Sequence, residues 1–153
     1  MVFFVPIVSF VLLAAWSGAQ APNPPAPRLL AAKSLRCDFT TLATGTWKNG
    51  AAAAAIKPAT LSLSFTSIDT QDGTAEATGS SDKAHITVRV IGNYLNLIQI
   101  DPYGALYVTS VFNAETKNGR LSAVHTRHEY IPVQAPTLTS RPEQYYGDCS
   151  ITP

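Results

Sequence analysis

The chain has 153 residues, a formal net charge of +1 and 14% charged side chains against 46% hydrophobic ones. Its basic residues are scattered, which argues against nucleic acid or an anionic membrane as the main partner, because phosphate binding needs clustered Lys and Arg. Without a leader the chain keeps roughly 130 residues, enough for a single domain that buries about two-thirds of its unfolded surface.

The N-terminal segment has the composition of an export signal. Residues 1–21 contain no Lys, Arg, Asp or Glu, and residues 2–16 are almost entirely apolar. Small residues follow at the spacing that a signal peptidase recognises, so we expect a signal peptide that is cleaved after Ala19 or Ala21. Because no basic residue precedes the apolar run, an uncleaved membrane tether is the alternative. The expected location is secreted or periplasmic.

Residues 22–35 are predicted to form a Pro-rich, extended spacer, because proline is excluded from helix and sheet interiors. The single β domain is expected to occupy residues 36–153. Turn-forming residues such as Asn49-Gly50, Asp72-Gly73 and Gly92-Asn93 recur there at even intervals. They divide eight predicted strands, at residues 39–48, 51–57, 61–70, 74–78, 84–91, 94–101, 105–112 and 120–131.

Within these segments apolar and polar residues alternate, as in a half-buried strand, and do not follow the three-to-four spacing of a helix. Short connections favour antiparallel pairing of consecutive strands, and eight such strands can close and leave no free edge. The sequence therefore predicts an all-β fold, a small antiparallel up-and-down β-barrel of about eight strands. A two-sheet β-sandwich is the alternative.

Three segments depart from regular strand patterns. Residues 51–55 are five alanines, which favour helix, but the following Pro58 leaves too few residues for one, and we assign a strand. The alternation in residues 61–68 slips by one position before Ile68, which predicts a bulge. Prolines make residues 132–148 an irregular, wrapping tail.

The two cysteines, Cys37 and Cys149, lie near the two ends of the predicted domain. In an exported protein such a pair indicates a disulfide, with two buried free thiols as the alternative. The bridge would stabilise the fold by roughly 4–5 kcal/mol in the chain-entropy model. Two cysteines without further ligands at suitable spacing do not make a zinc site.

The segment Gly45-Thr46-Trp47 lies in the first predicted strand. Here the chain resembles the calycin superfamily of lipocalins, fatty-acid-binding proteins and avidins, whose first barrel strand carries a Gly-x-Trp motif. The resemblance implies that the glycine lets the backbone pass closely and that Trp47 plugs the barrel, as core more than as ligand contact. It also implies a small ligand in the barrel mouth, although the other tryptophans of a biotin site are missing.

Residues 124–130 hold the densest group of functional side chains. On a strand, one face carries His125, Arg127 and Glu129, and the other carries His128 and Tyr130. In the first interpretation the charged trio is solvated and His128 and Tyr130 face the interior. In the second, Arg127 faces inward as an anion clamp, flanked by His125 and Glu129, for a small acidic ligand.

Tyr145 and Tyr146 adjoin the second cysteine and form either an interaction patch or a cover for the barrel edge. No spacing of Ser, His and acidic residues assembles a catalytic site, and no glycine loop is placed to cradle a phosphate. We therefore predict no catalytic residue, no metal site and no cofactor.

The composition and motifs favour an exported, non-enzymatic binding protein that holds a small apolar or weakly acidic ligand. An extracytoplasmic interaction or inhibitor module that recognises another protein is the first alternative. An enzyme of unrecognised type is the second.

Overall fold

A computed structural model describes residues 26–78, 84–134 and 137–153; for residues 84, 130–134 and 137–141 it describes the backbone alone. The predicted signal peptide and residues 22–25 of the spacer lie outside this range. A short helix, α1, precedes eight strands. Their bounds are α1 Pro27–Leu30, β1 Ser34–Lys48, β2 Ala51–Asp69, β3 Thr74–Thr78, β4 Ala84–Ile91, β5 Tyr94–Ile100, β6 Leu106–Glu115, β7 Leu121–Gln134 and β8 Thr137–Thr152.

The strands form one closed antiparallel barrel in which each strand pairs with its neighbours in sequence and β1 pairs with β8. This confirms the all-β, eight-stranded barrel, and the two-sheet sandwich is not adopted. Closure places Cys37 directly opposite Cys149, and the two form a fully buried disulfide. The predicted bridge is confirmed.

Two predicted boundaries are wrong, and prolines caused both errors. The break at Pro58 does not exist, since β2 continues through it, and the irregular tail forms most of β8, which contains Pro142. Among the described residues, pairing at both positions is recorded on one side of the strand, because β3 joins β2 from Ser64 onwards and β1 joins β8 from Glu143 onwards. A strand tolerates a proline where its missing N–H faces no hydrogen-bonding partner.

The predicted bulge before Ile68 is confirmed. The register of β2 against β3 shifts between Thr66 and Asp69, and Ser67 has a positive φ of 53°. The extra residue turns both Phe65 and Ile68 into the core, where each is buried. The slip in the hydrophobic alternation is therefore the sequence record of this bulge.

One end of the barrel, called the closed end, is covered by residues 26–33. These residues were predicted to belong to the extended spacer, so the folded domain begins earlier in the chain than predicted. Leu29 of α1 is fully buried against the core. The segment is anchored by hydrogen bonds from Ala26 N to Gly92 O at 3.1 Å and from Ile68 N to Lys33 O at 3.0 Å. No helix among the described residues is long and apolar enough to cross a membrane.

The opposite end, called the open end, carries the connections at residues 49–50 and 101–105. The core is concentrated toward the closed end, where inward residues of all the strands meet. Its largest fully buried side chains are Phe39, Leu29, Leu35, Ile68, Leu95, Leu97 and Leu121.

Candidate functional site

The interior of the barrel contains a cavity of about 330 Å³ in the half nearer the open end. One wall, from β2 to β5, is mainly apolar, and the facing wall, from β6 and β7, is polar. The apolar lining comprises Leu61, Leu63, Phe65, Ala77, Ile86 and Leu97, and the polar lining includes Gln99, Asp101, Tyr107, Thr109, His125 and Arg127.

The polar wall arises from the direction in which β7 turns its alternate residues. Leu121 and Ala123 of this strand are buried in the core, so the residues two and four positions further on also face inward. His125 is 6% exposed, and Arg127 lines the cavity. The interpretation in which His125, Arg127 and Glu129 form a solvated face is therefore wrong. The interpretation in which Arg127 faces inward, beside His125, has the correct orientation.

The opposite face of β7 points outward, where His128 is exposed. The expectation that His128 lies inside the barrel is wrong, because an inward His125 forces its odd-spaced neighbours outward. Tyr130 lies among the residues of which only the backbone is described. Its side chain is therefore outside the description of this site.

Arg127 is held on several sides by other side chains. Its guanidinium forms an ion pair with Glu129 and lies 3.8 Å from Glu143 Oε2. It also lies over the rings of Tyr107 and Tyr145, 5.8 and 5.9 Å from their centroids. Burial works against its charge, but hydrogen bonding and attraction from Glu129 outweigh burial and raise the pKa of Arg127 above its ordinary value.

The two tyrosines connect this cation to its carboxylates. Tyr107 Oη donates a hydrogen bond to Glu129 Oε1 at 3.3 Å, and Tyr145 Oη donates one to Glu143 Oε2 at 2.8 Å. Burial, followed by the nearby carboxylates, raises the pKa of Tyr107 and of Tyr145. Both phenols therefore stay protonated and act as hydrogen-bond donors at neutral pH.

His125 completes the polar wall as a neutral group. Burial, and then repulsion from Arg127, lower its pKa from 6.5 to about 4. Its Nδ1 lies 2.8 Å from the hydroxyl of the buried Thr109, which is directly opposite on β6. Its ring is parallel to that of Tyr107 at a centroid distance of 6.4 Å. At neutral pH the imidazole that lines the cavity is therefore uncharged.

The electrostatic consequence is that the positive charge in the wall is already matched. Among the residues that the structure describes, Arg127 is the cation that lines the cavity, and Glu129 and Glu143 lie beside it. Asp101 adds a carboxylate at the lining. The wall therefore offers hydrogen bonds to a polar group and has little net attraction for a strong anion. Within the described residues no cluster of three or more His, Cys, Asp or Glu is placed to hold a metal ion.

Of the remaining predicted site residues, Trp47 and Tyr146 lie away from the cavity lining, and Tyr145 contacts Arg127 without lining the cavity itself. Trp47 is 68% exposed near the tip of the β1–β2 hairpin, so the expectation that it plugs the barrel is wrong. Tyr145 and Tyr146 face opposite sides of β8, one in the core and one outside, which separates the expected pair. The outer tyrosine hydrogen-bonds to Gln144 Oε1 at 2.8 Å.

Sequence reasoning missed several polar members of the site, namely Gln99, Asp101, Tyr107, Thr109 and Glu143. Tyr107 and Thr109 share a strand face with the buried Val111, a signal that the alternation of β6 contained. Glu143 lay in the segment assigned to an irregular tail, so no face could be predicted for it.

Comparison with known proteins finds no family model that matches the chain and no matching curated protein.

Proposed function

We propose that this is an exported binding protein that holds a small, mainly apolar molecule with one neutral or weakly acidic polar group. The ligand occupies the barrel cavity. The main support is the division of one cavity into an apolar wall and a hydrogen-bonding wall. The buried disulfide is consistent with an oxidising compartment, as export requires.

The size and shape of the cavity support a small ligand. Its volume of about 330 Å³ is near the lower end of the range of roughly 300–1,000 Å³ that small-molecule sites occupy. One end of the barrel is covered by residues 26–33, so a ligand enters from the open end. The apolar part then packs against Leu63, Phe65 and Leu97.

The polar group of the ligand is expected to contact the β6–β7 wall. Tyr107 and His125 can exchange hydrogen bonds with it without the cost of burying a new charge. A strong acid is disfavoured because it must compete with Glu129 and Glu143 for the guanidinium of Arg127. A weak acid can bind in its neutral form.

The test is to fill the cavity. Ala77 lines it, so Ala77→Leu places a larger side chain in the ligand volume. We expect this variant to bind the neutral fluorophore N-phenylnaphthylamine at least about tenfold more weakly than the wild type. Binding is measured by fluorescence titration, and native mass spectrometry of the purified protein reports any bound natural molecule.

The matched control is Ala114→Leu, which makes the same change at an exposed position of β6. It should bind the fluorophore like the wild type. Unchanged affinity of a folded Ala77→Leu protein, or equal losses in both variants, would contradict binding in the cavity.

A further inference from the structure

One ring nitrogen of the buried histidine in the polar wall is left without a protein partner. Among the residues that the structure describes, His125 forms one side-chain hydrogen bond, between its Nδ1 and the hydroxyl of Thr109. Its Nε2 has no such partner, yet this atom is not fully enclosed by protein. The residue is buried and lines the cavity. Nε2 is therefore open to the cavity, where it can form a hydrogen bond with a ligand.

The hydroxyl of Thr109 decides which ring nitrogen carries the proton of the neutral imidazole. This hydroxyl is buried, and its hydrogen-bond partner within the described part of the chain is His125 Nδ1. If Nδ1 carried the proton, the hydroxyl would act as acceptor and its own hydrogen would be buried without a partner, which costs free energy. The hydroxyl therefore donates to Nδ1, and Nε2 carries the ring proton. The group that faces the cavity is a hydrogen-bond donor.

Strand register places this donor in the inner part of the cavity. His125, Thr109 and Leu97 lie opposite one another on β7, β6 and β5. Arg127 belongs to the next inward row, about 6.6 Å nearer the open end at the usual rise of a strand. Asp101, the carboxylate of the lining, lies further on, where β5 has ended at the open end. The innermost polar group that a ligand meets is therefore the imidazole donor.

We infer that the ligand is an apolar molecule whose polar group is an uncharged hydrogen-bond acceptor, such as the carbonyl of a ketone or ester, and that His125 Nε2 donates to it. This inference rests on the proposed function and narrows the class of ligand. Arg127, in the adjoining row, is also a donor without acceptor capacity. Thr109 is a positioning residue, because it acts through the histidine by keeping the proton on Nε2.

The neutral state of the imidazole agrees with an uncharged ligand. Burial, followed by repulsion from Arg127, lowers the pKa of His125 to about 4, so the ring offers a hydrogen bond without a charge at neutral pH. A carbonyl oxygen needs such a donor when it leaves water, since a buried acceptor without a partner is costly. A ligand that carries a donor in place of the carbonyl would bring two N–H or O–H groups against each other.

The binding test compares three rigid molecules that share one tricyclic frame, namely fluorene, fluorenone and carbazole. Fluorenone adds a carbonyl acceptor, carbazole adds an N–H donor, and fluorene has neither group. Equilibrium dialysis against the purified protein measures the dissociation constant of each compound. We expect the wild type to bind fluorenone roughly threefold to tenfold more tightly than carbazole, which is the advantage of one neutral hydrogen bond.

Fluorene distinguishes failure of the inference from failure of the proposed function. If neither fluorene nor N-phenylnaphthylamine binds, the cavity holds no apolar ligand and the proposed function is wrong. If fluorene binds while carbazole binds as tightly as fluorenone or more tightly, the proposed function stands and the inference is overturned.

The variant that tests the positioning role is Thr109→Val, which removes the hydroxyl and nearly keeps the shape of the side chain. Nδ1 then receives no proton from its neighbour, so the two neutral tautomers come closer in free energy. The preference for fluorenone over carbazole should fall to about twofold or less. Thr109→Ser keeps the hydroxyl and is expected to keep the preference. A merely structural role would change all three affinities together and leave their ratio intact, contrary to the inference.

The ring proton can also be located without altering Thr109. Long-range proton–nitrogen NMR of protein labelled with nitrogen-15 histidine distinguishes a protonated ring nitrogen from an unprotonated one, and His125→Gln identifies the signals of His125 by their loss. At neutral pH we expect a protonated Nε2 and an unprotonated Nδ1. A proton on Nδ1, or on both nitrogens, would overturn the inference even if the threonine variants fail to fold.

Discussion

At the scale of single residues, the buried histidine is the most unusual group in the barrel. His125 is almost completely removed from solvent, and its neighbours include a cation, Arg127, rather than a free carboxylate. Protonation would place a second positive charge beside the guanidinium in a poorly solvated site. The fold therefore keeps the imidazole neutral and uses it as a hydrogen-bonding partner of Thr109.

This state predicts a pH dependence of stability. The unfolded chain binds the proton of His125 below about pH 6.5, whereas the folded protein binds it only below about pH 4. The unfolded state thus holds more protons between these values, and the free energy of unfolding should fall as pH falls from 6.5 to about 4. The total loss is about 3 kcal/mol. Urea unfolding at a series of pH values measures it.

The control for this prediction is His125→Gln, which keeps a hydrogen-bonding group but does not titrate. Its stability should change much less across the same pH window. The lowered pKa of Asp38, caused by hydrogen bonds from Ser62 and Arg120, affects stability near and below pH 3.8 and so falls in a different window. Equal slopes in wild type and variant would show that His125 is not the titrating group.

At the scale of elements, the pairing of β1 with β8 closes the barrel and brings two chain segments unusually close. The register shifts between Phe39 and Thr41, so the bulged β1 backbone presses against β8 at Gly147. A Cβ atom added at Gly147 would lie 2.6 Å from Phe39 Cα and closer still to the carbonyl oxygen of Asp38. These are backbone atoms, which cannot move aside as a flexible side chain does.

We therefore expect Gly147→Ala to lower the free energy of unfolding by about 2–3 kcal/mol or more, because the two strands must separate locally. Gly45→Ala is the matched control on β1. The nearest atom to its added Cβ is Pro142 Cγ at 3.4 Å, an ordinary contact, so its cost should be small. Denaturant unfolding of both variants compares the costs, and equal values would contradict the close approach at Gly147.

At the scale of the whole molecule, the disulfide joins the first and last strands across a sequence separation of 112 residues. In the chain-entropy model, replacing both cysteines by alanine should lower the free energy of unfolding by about 4–5 kcal/mol. Strand pairing should persist, since β1 and β8 also share backbone hydrogen bonds along their length. Denaturant unfolding checks the first expectation and far-ultraviolet circular dichroism the second.

The wild type treated with reductant under partly denaturing conditions provides the control, because it should approach the stability of the double alanine variant. A barrel that keeps its full stability after the bridge is lost would contradict the prediction. It would indicate that strand pairing alone restrains the two ends of the domain.

The predicted number of strands is right only because two predicted strands merge into β2 while β8 was not predicted. Local patterns in the chain did determine the fold class, the bulge before Ile68 and the cysteine pairing. Each depends on alternation or turn residues within a few positions, or on the meeting of first and last strands that closure requires. Prolines misled this reasoning at Pro58 and Pro142. Whether a proline breaks a strand depends on the presence of a neighbour at that point, which no local pattern records.

Alternation also showed that His125, Arg127 and Glu129 share a face, but only the tertiary structure decided that this face is the inner one. Both faces of β7 carry apolar residues, so the strand alone does not show which face points inward. The orientation is set by Leu121, which packs into the core formed with the other strands. The cavity, the carboxylate of Glu143 beside Arg127 and the neutral state of the histidine all follow from that choice. They depend on contacts between strands distant in sequence, whereas alternation is a property of one strand alone.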